Sequence, residues 1–138
     1  MAVAGRITMT ASSAIETWHR LVRTSDVDGL RNLLADDVVF HSPVVHTPQR
    51  GKDLACGYLS AAFMVLGSHA FRYVREVSEG NHAVLEFEAD IEGIIVNGVD
   101  MITWNEDDKI VDFKVMLRPL KAVNLIHQKM ARMLESMR

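Results

Sequence analysis

Polar and apolar positions change period twice along this chain, dividing it into a helical first half, a strand-rich second half and a helical tail. Ile15, Trp18, Leu21 and Val22 recur at helical spacing. They follow Ser13-Ala14-Ile15-Glu16, a capping-box pattern in which Ser13 receives the first turn and Glu16 reaches back. Ser25-Asp26-Val27-Asp28 predicts a second helix, with acids in its first turn favoured by the helix dipole and Leu30, Leu33 and Leu34 as its buried stripe. That helix is expected to end at Ala35, with Asp36-Asp37 as the turn and Val38 to Ser42 as a short strand. Pro43 and Pro48 bracket an irregular loop. Gly51 opens a third helix, where Leu54, Ala55, Tyr58, Ala62, Phe63, Val65 and Leu66 form a wide apolar face closed by Gly67-Ser68.

From His69 the period falls from that of a helix towards that of a strand. Phe71 and Tyr73 alternate with Arg72 and Val74, and Glu79-Gly80-Asn81 predicts a hairpin turn. Ala83, Leu85, Phe87, Ala89 and Ile91 share one face of the next strand, with His82, Glu86, Glu88 and Asp90 on the other. Glu92-Gly93 leads into a strand from Ile94 to Trp104. Asn105-Glu106-Asp107-Asp108 then leads into Lys109 to Leu117, whose Val111, Phe113, Val115 and Leu117 are expected to face one way. Pro119 starts a C-terminal helix with a stripe running from Leu120, Val123, Ile126 and His127 through Met130 and Met133 to Leu134 and Met137. Helices followed by strands argue an α+β fold. The expectation is a cone-shaped, curled antiparallel sheet packed on three N-terminal helices, with an added C-terminal helix and a cavity at the open end.

Composition narrows the function classes. At 138 residues the chain suits one domain, 1–138, with residues 1–10 as a loose N-terminal arm. Fifteen basic against 18 acidic residues, a net charge of -3, provide no field for nucleic acid. The first residues carry no long apolar leader, and the longest apolar run, Ala61 to Leu66, is too short to span a bilayer. No membrane partner and a cytoplasmic location are therefore expected. Cys56 falls in a helical apolar pattern and is expected to be a buried, inert thiol. The histidines at 19, 41, 46, 69, 82 and 127 show no metal-ligand spacing, so neither metal nor cofactor is expected.

Three stretches carry a family resemblance: Ser25-Asp26-Val27-Asp28-Gly29-Leu30 with Leu34-Ala35-Asp36-Asp37, Phe40-His41-Ser42-Pro43 followed by Arg50-Gly51, and Val99-Asp100. With the element order they resemble the nuclear transport factor 2-like (cystatin-like) superfamily, which includes ketosteroid isomerases, limonene epoxide hydrolases and SnoaL-like polyketide cyclases. The Met116-Leu117-Arg118-Pro119-Leu120 junction is most similar to the SnoaL-like branch. Set against ketosteroid isomerase, Trp18 stands where those enzymes have a tyrosine donor, Ser42 where they have the proton-moving aspartate, and Asp100 where they keep a protonated aspartate. The Asp-Arg-Asp set of the epoxide hydrolases is broken, because residue 98 is Gly98.

The resemblance implies a pocket for a small apolar ligand with three candidate catalytic residues. Asp100 is the hydrogen-bond donor, its pKa raised by burial, Trp18 assists, and His46 is the loop base that replaces the missing carboxylate. Candidate lining residues are Phe40 and Ser42 on the first strand, Tyr58 and Phe63 on the third helix, and Phe71, Tyr73, Leu85 and Phe87 on the next two strands. Ile102, Trp104, Phe113 and Val115 complete the wall. His41 points opposite to Ser42 by strand parity and is expected outside the cavity. Two readings follow. One is a cofactor-free isomerase, cyclase or lyase acting on a carbonyl compound. The other is a non-catalytic ligand-binding or dimerisation module. Val84, Ile95, Val99 and Met101 on the outer sheet face predict a homodimer through that face.

Overall fold

The computed structural model describes residues 13–67 and 70–137, so the expected arm over 1–10 and the residues Ser68 and His69 lie outside the described part. Helix α1 (Ser13–Thr24) buries Ala14, Ile15, Trp18 and Leu21. Helix α2 (Val27–Leu33) is capped by Asp26, whose carboxylate accepts a 2.9 Å hydrogen bond from the Gly29 amide. It ends earlier than its apolar stripe suggests. Leu34 is already extended (φ -82°, ψ 137°) and opens strand β1 (Leu34–His41), so Asp36-Asp37 lies within the strand and makes no turn. Leu34 stays buried because it pairs with the last strand, and core burial looks the same in sequence whether a helix or a strand supplies it.

A two-residue strand β2 (Gln49–Arg50), which no sequence pattern signalled, pairs with β1 after the proline loop. Gly51, at φ +100°, then turns the chain into α3 (Lys52–Leu66). Leu54 proves half-exposed, while Cys56, Leu59 and Phe63 carry the buried face. Cys56 is a free, buried thiol. Strands β3 (Arg72–Glu79), β4 (His82–Ile91), β5 (Ile94–Trp104) and β6 (Ile110–Arg118) form the meander, and α4 (Leu120–Ser136) closes the chain.

The sheet order is β2-β1-β6-β5-β4-β3. All pairings are antiparallel except β1 with β6, which run parallel, so the sheet is mixed where an antiparallel one was expected. Hydrophobic alternation sets which face is buried and leaves the choice of neighbour open, which is why this pair was not anticipated. A register shift between Thr103 and Trp104 adds one residue to β6. Ile110 and Phe113 are therefore both fully buried and Val111 only half-buried, against the simple alternation.

Two apolar clusters hold the layers together. One joins α1, α2 and α3 to β1, β4, β5 and β6. The other joins the end of α3 and α4 to Phe87, Ala89, Ile91 and Val96. Tyr73 and Val115 pack against both clusters, and the cavity opens along that seam. The outer sheet face carries cross-strand ion pairs, Arg72 with Glu88 at 2.7 Å and Arg75 with Glu86 at 3.3 Å. Beside them lie exposed Val77, Val84, Met101 and Met116. No helix among the described residues is long and apolar enough to cross a membrane.

Gly98 lies opposite Phe87 in the β4–β5 ladder, and the Phe87 ring takes up the space a side chain there would need. A Cβ at residue 98 would stand 2.3 Å from Phe87 Cζ and 2.7 Å from Leu117 Cδ2. That ring is held in turn by Phe71 at 5.1 Å and Tyr73 at 6.2 Å between centroids. Gly98→Ala is therefore expected to displace Phe87 and to lower unfolding free energy by about 1–3 kcal/mol. Urea denaturation measures this, and an unchanged midpoint with unchanged slope would refute it.

Candidate functional site

A cavity of about 260 Å³ lies between the inner sheet face, α1, α3 and α4. Its floor and walls are mainly aromatic and aliphatic, with Phe40, Phe63, Phe87 and Phe113 facing Val115, Leu117 and Ile126. Trp18 seals the inner end, with ring centroids 4.8 Å from Phe113 and 5.5 Å from Phe63. Tyr58 stacks on Phe40 at 5.6 Å.

One polar chain crosses this apolar surface. The Trp18 indole Nε1–H donates to the Tyr73 hydroxyl at 2.9 Å, and Tyr73 O–H donates to Asp100 Oδ2 at 2.7 Å. The three residues come from α1, β3 and β5, so only the folded sheet aligns them. Asp100 is buried at 6% exposure and borders the cavity. Its carboxyl is pushed up to about 7 by burial, and the Tyr73 hydrogen bond acts in the other direction. Burial and the neighbouring carboxylate raise the Tyr73 phenol well above its ordinary range, so it keeps its proton. Among the described residues no buried side-chain nitrogen or oxygen is left unpaired.

The expected site residues divide three ways. Asp100, Trp18, Ser42, Phe40, Tyr58, Phe63, Phe71, Tyr73, Phe87, Phe113 and Val115 all border the cavity. Leu85, Ile102 and Trp104 do not. They face inward as their parity predicts, but they are packed solid with Leu21, Leu30 and Leu33 where α1 and α2 cover the sheet. His46 is exposed on the loop and is not part of the cavity wall, while the neighbouring Val44 and Val45 are. His41 bonds Asp112 at 2.9 Å away from the cavity. Ser42 borders the cavity, and its oxygen accepts the Val44 and Val45 amides at 3.1 and 3.3 Å, which shapes the loop. Trp18 reaches Asp100 only through Tyr73, so its indole N–H is spent within the protein.

The sequence leaves Met130, Met133 and Met137 open between a core seal and a lid on the cavity mouth, and the candidate lining residues include none from their helix. His127, Met130, Ala131 and Leu134 of α4 all border the cavity. Their helical spacing was visible, but a stripe on a terminal helix reads equally well as core seal. Met133 packs in the apolar cluster and Met137 is exposed, so only Met130 of the methionine row faces the cavity.

Residues 15–113 match the SnoaL-like domain. The chain belongs to that family. A solved structure of a steroid delta-isomerase from Pseudomonas aeruginosa is similar at 35% identity and TM-score 0.86, covering 91% of this chain and 92% of that one. An uncharacterised protein with a cystatin-like fold from Silicibacter pomeroyi is similar at 32% identity and TM-score 0.80, covering 87% of this chain and 84% of that one. A SnoaL-like protein structure from Jannaschia, at 15% identity and TM-score 0.63, covers 80% of this chain and 88% of its own and shares the fold. No curated protein sequence matches the chain.

Burial of Asp100 has a consequence for stability. Its carboxyl titrates near 3.8 in the unfolded chain and about 7 in the folded one, so between those values the folded state holds a proton that the unfolded state has released. The stability contributed by neutral Asp100 is fully present below about pH 4 and is lost as pH rises through about 7. At about 1.4 kcal/mol per unit the whole loss is on the order of 4 kcal/mol. Asp100→Asn removes this dependence. Urea denaturation at pH 5 and pH 8 should show the wild type losing about 3 kcal/mol more than the variant. Parallel profiles would show that Asp100 is not the responsible group.

Proposed function

We propose that the cavity binds a small, largely apolar carbonyl compound and that the protein is a cofactor-free isomerase, cyclase or lyase. In this reading Asp100 donates a hydrogen bond to the carbonyl oxygen. The direction of the polar chain carries the reading. Trp18 gives its proton to Tyr73 and Tyr73 gives its own to Asp100, so neutral Asp100 holds the one proton of the three left to donate into the cavity. Apolar surroundings make such a donor strong, because charge building on a carbonyl oxygen meets a proton with no competing water. Membership of the SnoaL-like family and the likeness to a steroid delta-isomerase support the same class.

The enolising base is a separate matter. Ser42 lacks the carboxylate that proton transfer from carbon needs, and its oxygen already accepts two amides. The departure at residue 42 favours the second reading, a ligand-binding module without turnover.

2-Naphthol, whose planar oxygen mimics an enolate, separates these possibilities. It should bind the wild type and lose about tenfold affinity in Asp100→Leu, which has no hydrogen to donate, followed by fluorescence titration. Equal binding by both proteins would remove Asp100 as donor. Turnover is checked by ultraviolet absorbance as a β,γ-unsaturated cyclic ketone becomes its conjugated isomer. The enzyme reading predicts a rate about a hundredfold lower in Asp100→Leu. Binding without any turnover, across ketones of varied ring size, selects the binding module.

For the outer sheet face we propose a second copy of this chain as partner. The exposed Val77, Val84, Met101 and Met116 are bordered by paired arginines and glutamates, so a two-fold axis can set apolar on apolar and charge on opposite charge. Sedimentation equilibrium at micromolar concentration should give a dimer, and Val84→Glu with Met116→Lys a monomer. A monomeric wild type rejects the proposal.

A further inference from the structure

The Trp18–Tyr73–Asp100 chain deals with one end of a ligand, and α4 builds another part of the wall. His127, Met130, Ala131 and Leu134 stand at i, i+3, i+4 and i+7 on α4 and present one face to the cavity. This face lies beyond residues 15–113, the stretch that matches the SnoaL-like domain. What α4 selects is therefore separate from what defines the family match.

His127 is the odd residue on that face, because its cavity neighbours on α4 are apolar. Three other histidines are engaged in structure: His19 with Glu76 at 2.7 Å, His41 with Asp112 at 2.9 Å and His82 with Thr103 at 3.0 Å. Among the described residues no hydrogen bond or ion pair engages the His127 imidazole. It is exposed, whereas Asp100 is buried, so the cavity has one polar group deep in the fold and another in contact with solvent. Helix α4 also carries Lys121, Lys129 and Arg132 against Glu135, and with Lys129 paired to Glu92 of the β4–β5 turn a small positive balance remains beside it.

We propose that His127 is a specificity-determining residue that holds a carboxylate at the outer end of a two-ended ligand. The ligand class is an apolar carbon skeleton with a carbonyl met by Asp100 at one end and a carboxylate met by His127 at the other. An imidazole has an N–H to donate in either protonation state, and a carboxylate at a solvent-exposed mouth keeps part of its hydration. The contact is partly screened, so its effect is about tenfold in affinity. This inference rests on the proposed inner contact at Asp100.

The test uses 4-hydroxyphenylalkanoates of increasing chain length against 4-alkylphenols of matched carbon number, by isothermal titration calorimetry. The phenol oxygen addresses Asp100, and the varied chain finds the span to His127. At one or two chain lengths the acid should bind about tenfold tighter than its alkylphenol, and His127→Ala should bring that ratio close to one. His127→Gln, which keeps an N–H donor, should restore part of it. Circular dichroism melting confirms that the variants are folded. Alkylphenol binding that depends on Asp100, with no gain for any acid, overturns the two-ended ligand alone. A gain that survives His127→Ala also overturns it. Absence of any Asp100-dependent phenol binding overturns both this inference and the inner contact.

Discussion

The hydrogen bond from Tyr73 to Asp100 is the contact on which the site depends. A carboxyl taken out of water into an aromatic cavity is costly when charged, and here the cost appears as a pKa raised to about 7. One phenol proton, 2.7 Å away, satisfies one carboxyl oxygen, and that phenol is steadied by the Trp18 indole at 2.9 Å. The three groups reach each other only because α1 crosses the concave face of the sheet while β3 and β5 lie on either side of β4. Curl of the sheet, seating of α1 and protonation of Asp100 are thus coupled. A shift in any of them leaves a buried polar atom without a partner.

The cavity is the space that two apolar clusters leave between them. Where α1 and α2 cover the sheet, Leu85, Ile102 and Trp104 fill the interior completely. Towards the other end, Gly98 lets the Phe87 ring lie against the β5 backbone, which keeps the wall smooth and apolar. A side chain as large as arginine at that position would have to displace the ring. Helix α4 closes the remaining side of the cavity through Ile126, His127, Met130, Ala131 and Leu134. The SnoaL-like frame provides the enclosure, and its chemistry depends on a handful of side chains set into it.

Much of the architecture was legible in the residues. Strict alternation from Ala83 to Ile91 and from Ile94 to Trp104 placed two strands and their buried faces, including the inward carboxyl of Asp100. Helical stripes located α1, α3 and α4, and Glu92-Gly93, both at positive φ, marked their hairpin. The errors share a cause. The helix-to-strand change at Leu34, the extra residue near Val111 and the parallel β1–β6 pair all depend on which segment lies alongside, and local period is blind to that. His46 was favoured because it sits near Ser42 in sequence, yet the loop turns its imidazole to solvent. His127, almost seventy residues further along than Tyr58, borders the same cavity as that tyrosine.

What the sequence by itself determined was which residues must be covered and in what order helices and strands must cover them. Period and composition act within a few residues, and both are sufficient for that. Tertiary structure alone decided that Tyr73 stands between Trp18 and Asp100, that Leu85, Ile102 and Trp104 are packed core beside a cavity, and that His127 looks into it. Those outcomes depend on the separation of side chains far apart in the chain. Only the curl of the sheet and the docking of α1 and α4 set those distances, and with them the raised pKa of Asp100.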